Sequence, residues 1–172
     1  QNLSYVFVGG MKFYERSEIR DAIAYLRLSV NPYDEFSLQR VINKPKRSIG
    51  KTSIEKLEHL CGKLNIKTYE LISNDFYNDI LSQSVGKKTF GELKNFVQIV
   101  ETLRAKKESS TFALLDEFEN IVGLKKFFLS LLSEEERAAN LDEFYGSLKE
   151  YFKANPEQDI EEYLNEISIK SD

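Results

Sequence analysis

The chain of 172 residues contains little of what redox, metal and histidine chemistry require. It has one cysteine, Cys61, and one histidine, His59. A single cysteine excludes an internal disulfide and a thiolate-based zinc cluster, and a single histidine removes most histidine-dependent catalysis. No apolar run approaches the roughly 18 residues that a membrane-spanning helix needs, so we expect no membrane partner. We predict no metal site and no catalytic residue.

Residues that break helices are also scarce. Three prolines and eight glycines leave few places at which a helix must end. The contents of 41% hydrophobic and 30% charged residues are typical of a globular domain with a real core. The chain begins at Gln1 rather than at a methionine, so we expect it to be a piece of a longer protein.

The hydrophobic pattern predicts one short strand followed by helices. Leu3–Val8 is rich in valine and aromatic residues and reads as a strand that Gly9-Gly10 ends. Apolar residues from Ile19 to Val30 form one helical stripe that stops at Asn31-Pro32. The same pattern predicts further helices at Asp34–Asn43, Tyr69–Ser73, Phe76–Ser82, Thr111–Val122, Leu124–Leu132 and Asp159–Ile169.

Three more helices are predicted to start at capping boxes, in which a hydroxyl and a glutamate three residues later satisfy free backbone amides. The boxes are Thr52–Glu55, Thr89–Glu92 and Ser133–Glu136. The predicted fold class is therefore all-α, a multi-helix bundle with one short N-terminal strand. That strand finds no second strand in the sequence, so we expect its partners to belong to a neighbouring domain.

Charge is distributed unevenly along the chain, whose formal net charge is −4. Between Ser37 and Lys67 there are eight basic and two acidic residues, a net charge of +6. Between Ser133 and Asp172 there are twelve acidic and four basic residues, a net charge of −8. Lysines on a surface often do no more than interact with solvent, so charge alone does not choose between solvation and a binding site.

Two sequence motifs resemble nucleotide-binding elements but lack their context. Gly50-Lys51-Thr52 matches the end of a phosphate-binding loop, yet the position that needs the first glycine holds Pro45, which has no amide hydrogen. Leu114–Phe118 resembles the strand and acid pair that hold magnesium, but its apolar spacing is helical. We therefore predict no ATP site in this chain.

The segment Lys44–Thr52, called the basic turn below, carries the clearest binding signal. Pro45 stiffens it, and Gly50 allows a ligand to approach the backbone at the start of a helix. Lys46, Arg47 and Lys51 place positive charges around that helix start. This combination suits the phosphates of a nucleic-acid backbone without reading base sequence. An ordinary corner between two helices, with solvated lysines, explains the same residues equally well.

Five collinear segments resemble one protein family. Val8–Leu28 (VGGMKFYERSEIRDAIAYLRL) is similar to the segment after the fourth motif of UvrD/PcrA/Rep-type superfamily 1 DNA helicases. Arg40–Gly50 (RVINKPKRSIG) resembles the family turn N-x-P-x-R-G-I-G, with Ser48 in place of the first glycine. A serine there is strained if the position needs a positive φ. The other three segments are Asn31–Asp34, Asn140–Phe144 and Ile160–Ile169.

The resemblance implies that the chain is a helical 2B subdomain (14–172) with a sliver of the second motor domain (1–13). Such a subdomain contacts duplex DNA and swivels on the motor domains of an ATP- and magnesium-dependent helicase that moves 3′ to 5′ in the bacterial cytoplasm, at the nucleoid. The fragment itself would bind no cofactor. The implied DNA-binding residues are Lys46, Arg47, Ser48, Ile49, Gly50, Lys51 and Thr52, and those of the junction with the motor domain are Gly9, Gly10, Arg16 and Glu18.

Two other classes of function compete with this interpretation. An all-helical protein–protein interaction module would use the acidic C-terminal half or exposed aromatic residues and would contact DNA only incidentally. An autonomous small enzyme is the weaker alternative, because the sequence shows no combination of nucleophile, base and electrophile.

Overall fold

The computed structural model describes Phe7 and residues 9–171, and all regular structure within them is helical. The all-α prediction is therefore confirmed. No helix in these residues is long and apolar enough to cross a membrane. The helices are α1 Met11–Tyr14, α2 Ser17–Val30, α3 Glu35–Val41, α4 Lys51–Leu64, α5 Thr68–Ser73, α6 Asn78–Val85, α7 Lys87–Ser109, α8 Thr111–Val122, α9 Leu124–Leu129, α10 Glu135–Ala154 and α11 Ile160–Ser171, with a 3-10 turn at Asp75–Tyr77.

Helix α2 is the central element of the bundle. It contacts α1, α3, α7, α10 and α11, and ten of its fourteen residues are buried. The buried set includes two carboxylates, Glu18 and Asp21, alongside the apolar side chains. The helix ends at Asn31, before Pro32, as the sequence predicts. Because most of α2 is buried, its position fixes the residues that contact its ends and its buried polar side chains.

The longest helix, α7, forms a second axis of the fold. It packs against α8 in a helical hairpin and also contacts α2, α5 and α6. Gly123, in the left-handed conformation at φ 73°, ends α8 where the sequence predicts. The two axes meet in a continuous apolar core to which Tyr25 of α2 and Phe96 of α7 contribute, with ring centroids 6.4 Å apart.

The predicted starts of three helices are wrong by one to three residues. Helix α4 begins at Lys51 after Gly50, and α7 begins at Lys87 after Gly86, so Thr52 and Thr89 lie inside the first turn. Helix α10 begins at Glu135, and its N-cap Glu134 makes no capping hydrogen bond through its side chain. The glycines, not the threonines, adopt the extended or left-handed backbone that precedes α4 and α7.

The segment predicted as a buried helix over Leu124–Leu132 is shorter than expected. Helix α9 ends at Leu129, and Leu132 is 93% exposed. Ser133 follows at φ 63°, so the backbone turns sharply before α10. The apolar run continues in sequence past the end of the helix. Its last leucines, Leu129, Leu131 and Leu132, lie at the surface rather than in the core.

The N-terminal junction is described only from Phe7 and Gly9 onward. Apart from Phe7, the predicted strand Leu3–Val8 lies outside the described residues, and the division at residue 13 stays a prediction. Gly9 and Gly10 have φ values of 85° and 94°, a conformation that other residues rarely adopt. The Phe7 ring packs edge-on against Tyr14 with centroids 5.1 Å apart. The double glycine therefore makes a sharp bend before α1.

Candidate nucleic-acid interface

The basic turn connects α3 to α4 and is held together from its own start. The Asn43 side-chain oxygen accepts hydrogen bonds from the backbone amides of Arg47, at 2.7 Å, and Ile49, at 3.2 Å. The Lys44-Pro45 peptide, which lies between Asn43 and Arg47, is cis. One asparagine therefore fixes both sides of the turn, in the way that asparagine side chains commonly replace backbone partners in loops.

The Arg47 side chain is buried inside the helical bundle, whereas the sequence suggested an exposed DNA contact. Its guanidinium donates to the carbonyl oxygens of Val41, at 3.0 Å, and Ile42, at 2.9 Å. It also donates to the Tyr25 hydroxyl at 2.7 Å and lies over the Phe96 ring, 5.0 Å from the centroid. With 9% of its surface exposed, Arg47 holds the turn from within.

Tyr25 completes this internal anchor. Its hydroxyl donates to the Lys44 carbonyl oxygen at 2.6 Å. Burial raises the pKa of Tyr25 to about 12, although the positive charge of Arg47 opposes the shift. The phenol therefore stays protonated at neutral pH and remains a hydrogen-bond donor to the turn.

The outer surface of the turn is formed by Ser48, Gly50 and the first residues of α4. Ser48 is exposed at φ 62°, in the left-handed region where the family motif has glycine. The Ile49 side chain is buried, so only its backbone can face a ligand. Gly50 is exposed, has an extended backbone and has no atom within 4 Å of the position a Cβ would take. A ligand can thus approach the backbone at Gly50 closely.

The start of α4 is open to an anion. No side chain caps it, and its first turn contains no acidic residue. The first hydrogen bond inside the helix runs from the Ile54 amide to the Gly50 carbonyl oxygen, at 3.0 Å. The amides of the preceding residues therefore have no partner within the helix, and they carry the positive end of its dipole. Lys51 and Thr52 are both exposed beside them.

The lysines of the turn divide into one paired and two unpaired. Lys44 lies 3.2 Å from the buried carboxylate of Asp21, which also binds Arg40 at 2.9 Å. Lys46 and Lys51 are exposed and make no ion pair with any residue that the structure describes. Two exposed cations therefore lie close in sequence to an uncapped helix start, and they can bind phosphates without displacing an internal partner.

Two of the four predicted junction residues, Arg16 and Glu18, contact each other at the start of α2. Arg16 bridges Glu18, at 3.2 Å, and Glu136 of α10, at 3.0 Å. Glu18 is 2% exposed and also accepts a hydrogen bond from Asn140 at 2.7 Å. Burial alone would raise the pKa of Glu18, but the hydrogen bonds from Asn140, the backbone and Arg16 outweigh it and hold the pKa below its usual value. This cluster ties the N-terminal bend to α10.

The remaining motifs lie within helices or at their starts. Gly50-Lys51-Thr52 follows a helix and a turn rather than a strand, and Leu114–Phe118 lies within α8. His59 is exposed, and Cys61 is partly buried. No group of three or more His, Cys, Asp or Glu residues that could hold a metal occurs in the part of the chain that the structure describes.

Sequence reasoning missed the residues that position the turn. Tyr25 and Phe96 are 22 and 49 residues away from Arg47, and no local pattern connects them. The role of Asn43 could have been predicted from the sequence, because Asn43 is the asparagine of the motif that Arg40–Gly50 matches. Arg137, whose guanidinium lies 3.7 Å from Glu18, carried no signal of its own.

Comparison with known proteins identifies the family. The model of the UvrD-like helicase C-terminal domain matches residues 1–172. The chain therefore belongs to the UvrD-like helicase C-terminal domain family.

Individual relatives are similar over nearly the whole chain. An ATP-dependent DNA helicase PcrA of Staphylococcus aureus (strain NCTC 8325 / PS 47) is 33% identical over 99% of this chain and 23% of its own length. The ATP-dependent DNA helicase PcrA of Staphylococcus epidermidis (strain ATCC 12228 / FDA PCI 1200) is 34% identical over 99% of this chain and 24% of its own length. The chain thus spans about a quarter of these relatives.

Proposed function

We propose that this chain is the duplex-contacting, regulatory 2B subdomain of an ATP-dependent DNA helicase that moves 3′ to 5′. The observation that carries the proposal is the open start of α4, which the unpaired Lys46 and Lys51 flank. A helix start with no acidic residue in its first turn favours an anion. The polyanionic partner of a helicase is DNA, and the relatives named above are DNA helicases.

The contact is to the DNA backbone and is independent of sequence. The groups offered are two ammonium groups and backbone amides, none of which distinguishes one base pair from another. Ser48 and Thr52 add hydroxyl donors at the same surface. Arg47 and Ile49 contribute by fixing the shape of the turn, and Gly50 contributes by leaving the backbone accessible. Each lysine that neutralises a phosphate adds about −0.9 to the log–log dependence of affinity on salt, so two give a slope of about −2.

ATP and magnesium act in the parent protein outside this chain. The surroundings of Gly50-Lys51-Thr52 do not fit a phosphate loop, because a helix rather than a strand precedes them. In our proposal the motor domains bind ATP, magnesium and single-stranded DNA in the bacterial cytoplasm. The chain contributes duplex contact and swivels at the bend formed by Gly9, Gly10, Arg16 and Glu18. The isolated chain should show no ATP hydrolysis, with or without single-stranded DNA.

Fluorescence anisotropy of a labelled DNA hairpin, titrated with the chain at several salt concentrations, tests the contact. The test variant is Lys46→Ala/Lys51→Ala. The control is Lys63→Ala, an exposed lysine twelve residues further along α4, about 18 Å from Lys51. The double variant should reduce the salt slope by about two units, and the control should leave it unchanged.

Equal slopes for the double variant and the control would overturn the duplex-contact proposal. Binding that is insensitive to salt would instead favour the protein-interaction module, because an apolar interface releases no counterions. Tight ATP binding that Lys51→Ala abolishes would show that Gly50-Lys51-Thr52 is a nucleotide site after all.

A further inference from the structure

A groove with a volume of about 560 Å³ lies beside α2, between α1 and α3, and its lining includes the carboxylates of Glu15 and Asp34. Arg20 and Arg27 of α2 line it, and Ile23 and Ala24 lie between them. Met11 and Phe36 line the same groove from α1 and α3. Neither the duplex contact nor the junction cluster described above uses these side chains.

Arg27 is the unusual residue of this groove. It is half-buried, yet its guanidinium makes no hydrogen bond or ion pair with any residue that the structure describes. The charged group that acts on it is Asp34, but Asp34 caps α3 through the amide and hydroxyl of Ser37, at 3.1 and 2.8 Å. Burial lowers the pKa of Arg27, and Asp34 opposes that shift.

The third arginine of the groove shows the contrast. Arg40 donates to Asp21 at 2.9 Å and to the Ser17 carbonyl oxygen at 3.1 Å, so its charge is neutralised from within. Arg20 is exposed and has no such partner among the described residues. Buried arginines are normally paired. Arg20 and Arg27 therefore offer hydrogen-bond donors in a fork geometry that matches carboxylates.

The apolar part of the groove indicates a protein occupant rather than DNA. Phe36 is 75% exposed and Met11 is 37% exposed. Aromatic residues, methionine and arginine are the types enriched where proteins bind one another. At 100° per residue, Arg20 and Arg27 lie about 140–160° around α2 from Tyr25, which anchors the basic turn. The two arginines and the anchor of the basic turn therefore lie on different faces of α2.

We propose that this groove binds an acidic amphipathic helix of a partner protein. Arg20 and Arg27 are seven residues apart on α2, about 10.5 Å along its axis. A bound helix of matching spacing places carboxylates at positions i and i+7 and an apolar side chain at i+3 or i+4. The carboxylates bind the two guanidinium groups, and the apolar side chain packs against Ile23, Ala24 and Phe36. This interaction does not depend on the duplex-contact proposal.

The probe is a fluorescent designed helix that carries glutamates at i and i+7 and leucines at i+3 and i+4. Its control is the same helix with lysines in place of the glutamates. Anisotropy titration with the chain should show saturable binding of the acidic peptide only. Arg27→Gln, Arg20→Gln and Phe36→Ala should each weaken binding about tenfold, as expected for the loss of a charged hydrogen bond or an apolar anchor.

A matched arginine variant, Arg104→Gln on α7, should leave peptide binding unchanged, because Arg104 pairs with Glu101 away from the groove. Arg20 and Phe36 are exposed, so their variants keep the test valid even if Arg27→Gln impairs folding. The proposal is overturned if the lysine peptide binds equally well, if the groove variants match Arg104→Gln, or if the groove variants weaken only DNA binding or self-association.

Discussion

The starts of α4 and α10 differ in which negative charges interact with the positive end of the helix dipole. Helix α4 begins after Gly50 with no acidic residue in its first turn and no capping side chain. Helix α10 begins after Glu134 and has Glu135 and Glu136 in its first turn. Negative side chains there stabilise the helix by interacting with its dipole. The carboxylates of α10 itself interact with the positive end of its dipole. The corresponding end of α4 has no carboxylate in its first turn and can accept an external anion.

The surroundings reinforce this difference. At α10, Glu136 pairs with Arg16 at 3.0 Å and Glu134 with Arg137 at 2.8 Å, so both charges are used internally. At α4 the internal cation is Arg47, which is buried, and the exposed lysines have no partner. The candidate binding site at α4 thus differs from the start of α10 because its exposed charges have no internal partner.

The largest expected effect comes from removing the internal anchor of the α4 start. Arg47→Ala should lower the free energy of unfolding by about 3–4 kcal/mol, because it removes the buried hydrogen bonds to the carbonyl oxygens of Val41 and Ile42 and to the Tyr25 hydroxyl. Urea denaturation measures the change. Lys46→Ala, one residue away and exposed, should change stability by less than about 0.5 kcal/mol. Similar values for the two variants would contradict the internal role of Arg47.

The α10 start depends on the buried carboxylate of Glu18. Glu18→Gln should lower the free energy of unfolding at pH 7 by about 2 kcal/mol, as expected for hydrogen bonds to a charged group. Because the pKa of Glu18 is lower in the folded state than in the unfolded state, its contribution is present above the unfolded pKa. That contribution is lost as the pH falls through the folded pKa.

Denaturation across the acidic range tests this sign. The stability difference between the wild type and Glu18→Gln should shrink as the pH falls from 7 toward 3. Glu15→Gln is the matched control, because Glu15 is exposed and forms no ion pair with any described residue. A difference that stays constant with pH would show that the charge of Glu18 is not what stabilises the cluster.

A smaller effect on stability is expected from the serines in the turns before α4 and α10. Ser48 and Ser133 have φ values of 62° and 63°, which cost a residue with a Cβ about 1–2 kcal/mol. Glycine removes this cost but loses more entropy on folding, so Ser48→Gly and Ser133→Gly should each raise stability by about 0.5–1 kcal/mol. Thermal denaturation measures the gain. Ser84→Gly, inside α6, should lower the melting temperature instead.

The smallest effect on stability belongs to Gly50. A Cβ at this position meets no atom within 4 Å, and its φ of −88° suits any residue. Gly50→Ala should therefore change the free energy of unfolding by less than about 0.5 kcal/mol while it weakens duplex binding by blocking close approach of the backbone. Duplex affinity equal to that of the wild type would show that the phosphates do not approach Gly50.

Helix ends that proline or glycine marks are predicted better than helix starts that capping boxes mark. Pro32 and Gly123 end α2 and α8 where expected, because each acts through its own backbone preference. The capping boxes at Thr52 and Thr89 misplace two starts, since the backbone at Gly50 and Gly86 is fixed by the preceding turns. Local patterns cannot report contacts that the rest of the fold imposes.

The same limit applies to the candidate site. Its position in the basic turn follows from local chemistry, because glycine, lysine and a helix start are neighbours in sequence. The division of its cations into buried and exposed does not follow, since it depends on Tyr25 and Phe96, which are distant in sequence. The family resemblance implies a DNA contact for Arg47, whereas the structure buries its side chain.

The two hydrogen bonds accepted by Asn43 have a consequence for solvent exchange. Amides in surface loops usually exchange with deuterium through small local fluctuations, whereas amides in a core exchange only when a larger unit opens. The amides of Arg47 and Ile49 are bonded to Asn43, and the same turn is bonded to Tyr25 of α2. We therefore expect these two amides to exchange together with the opening of α2, on the timescale of the core.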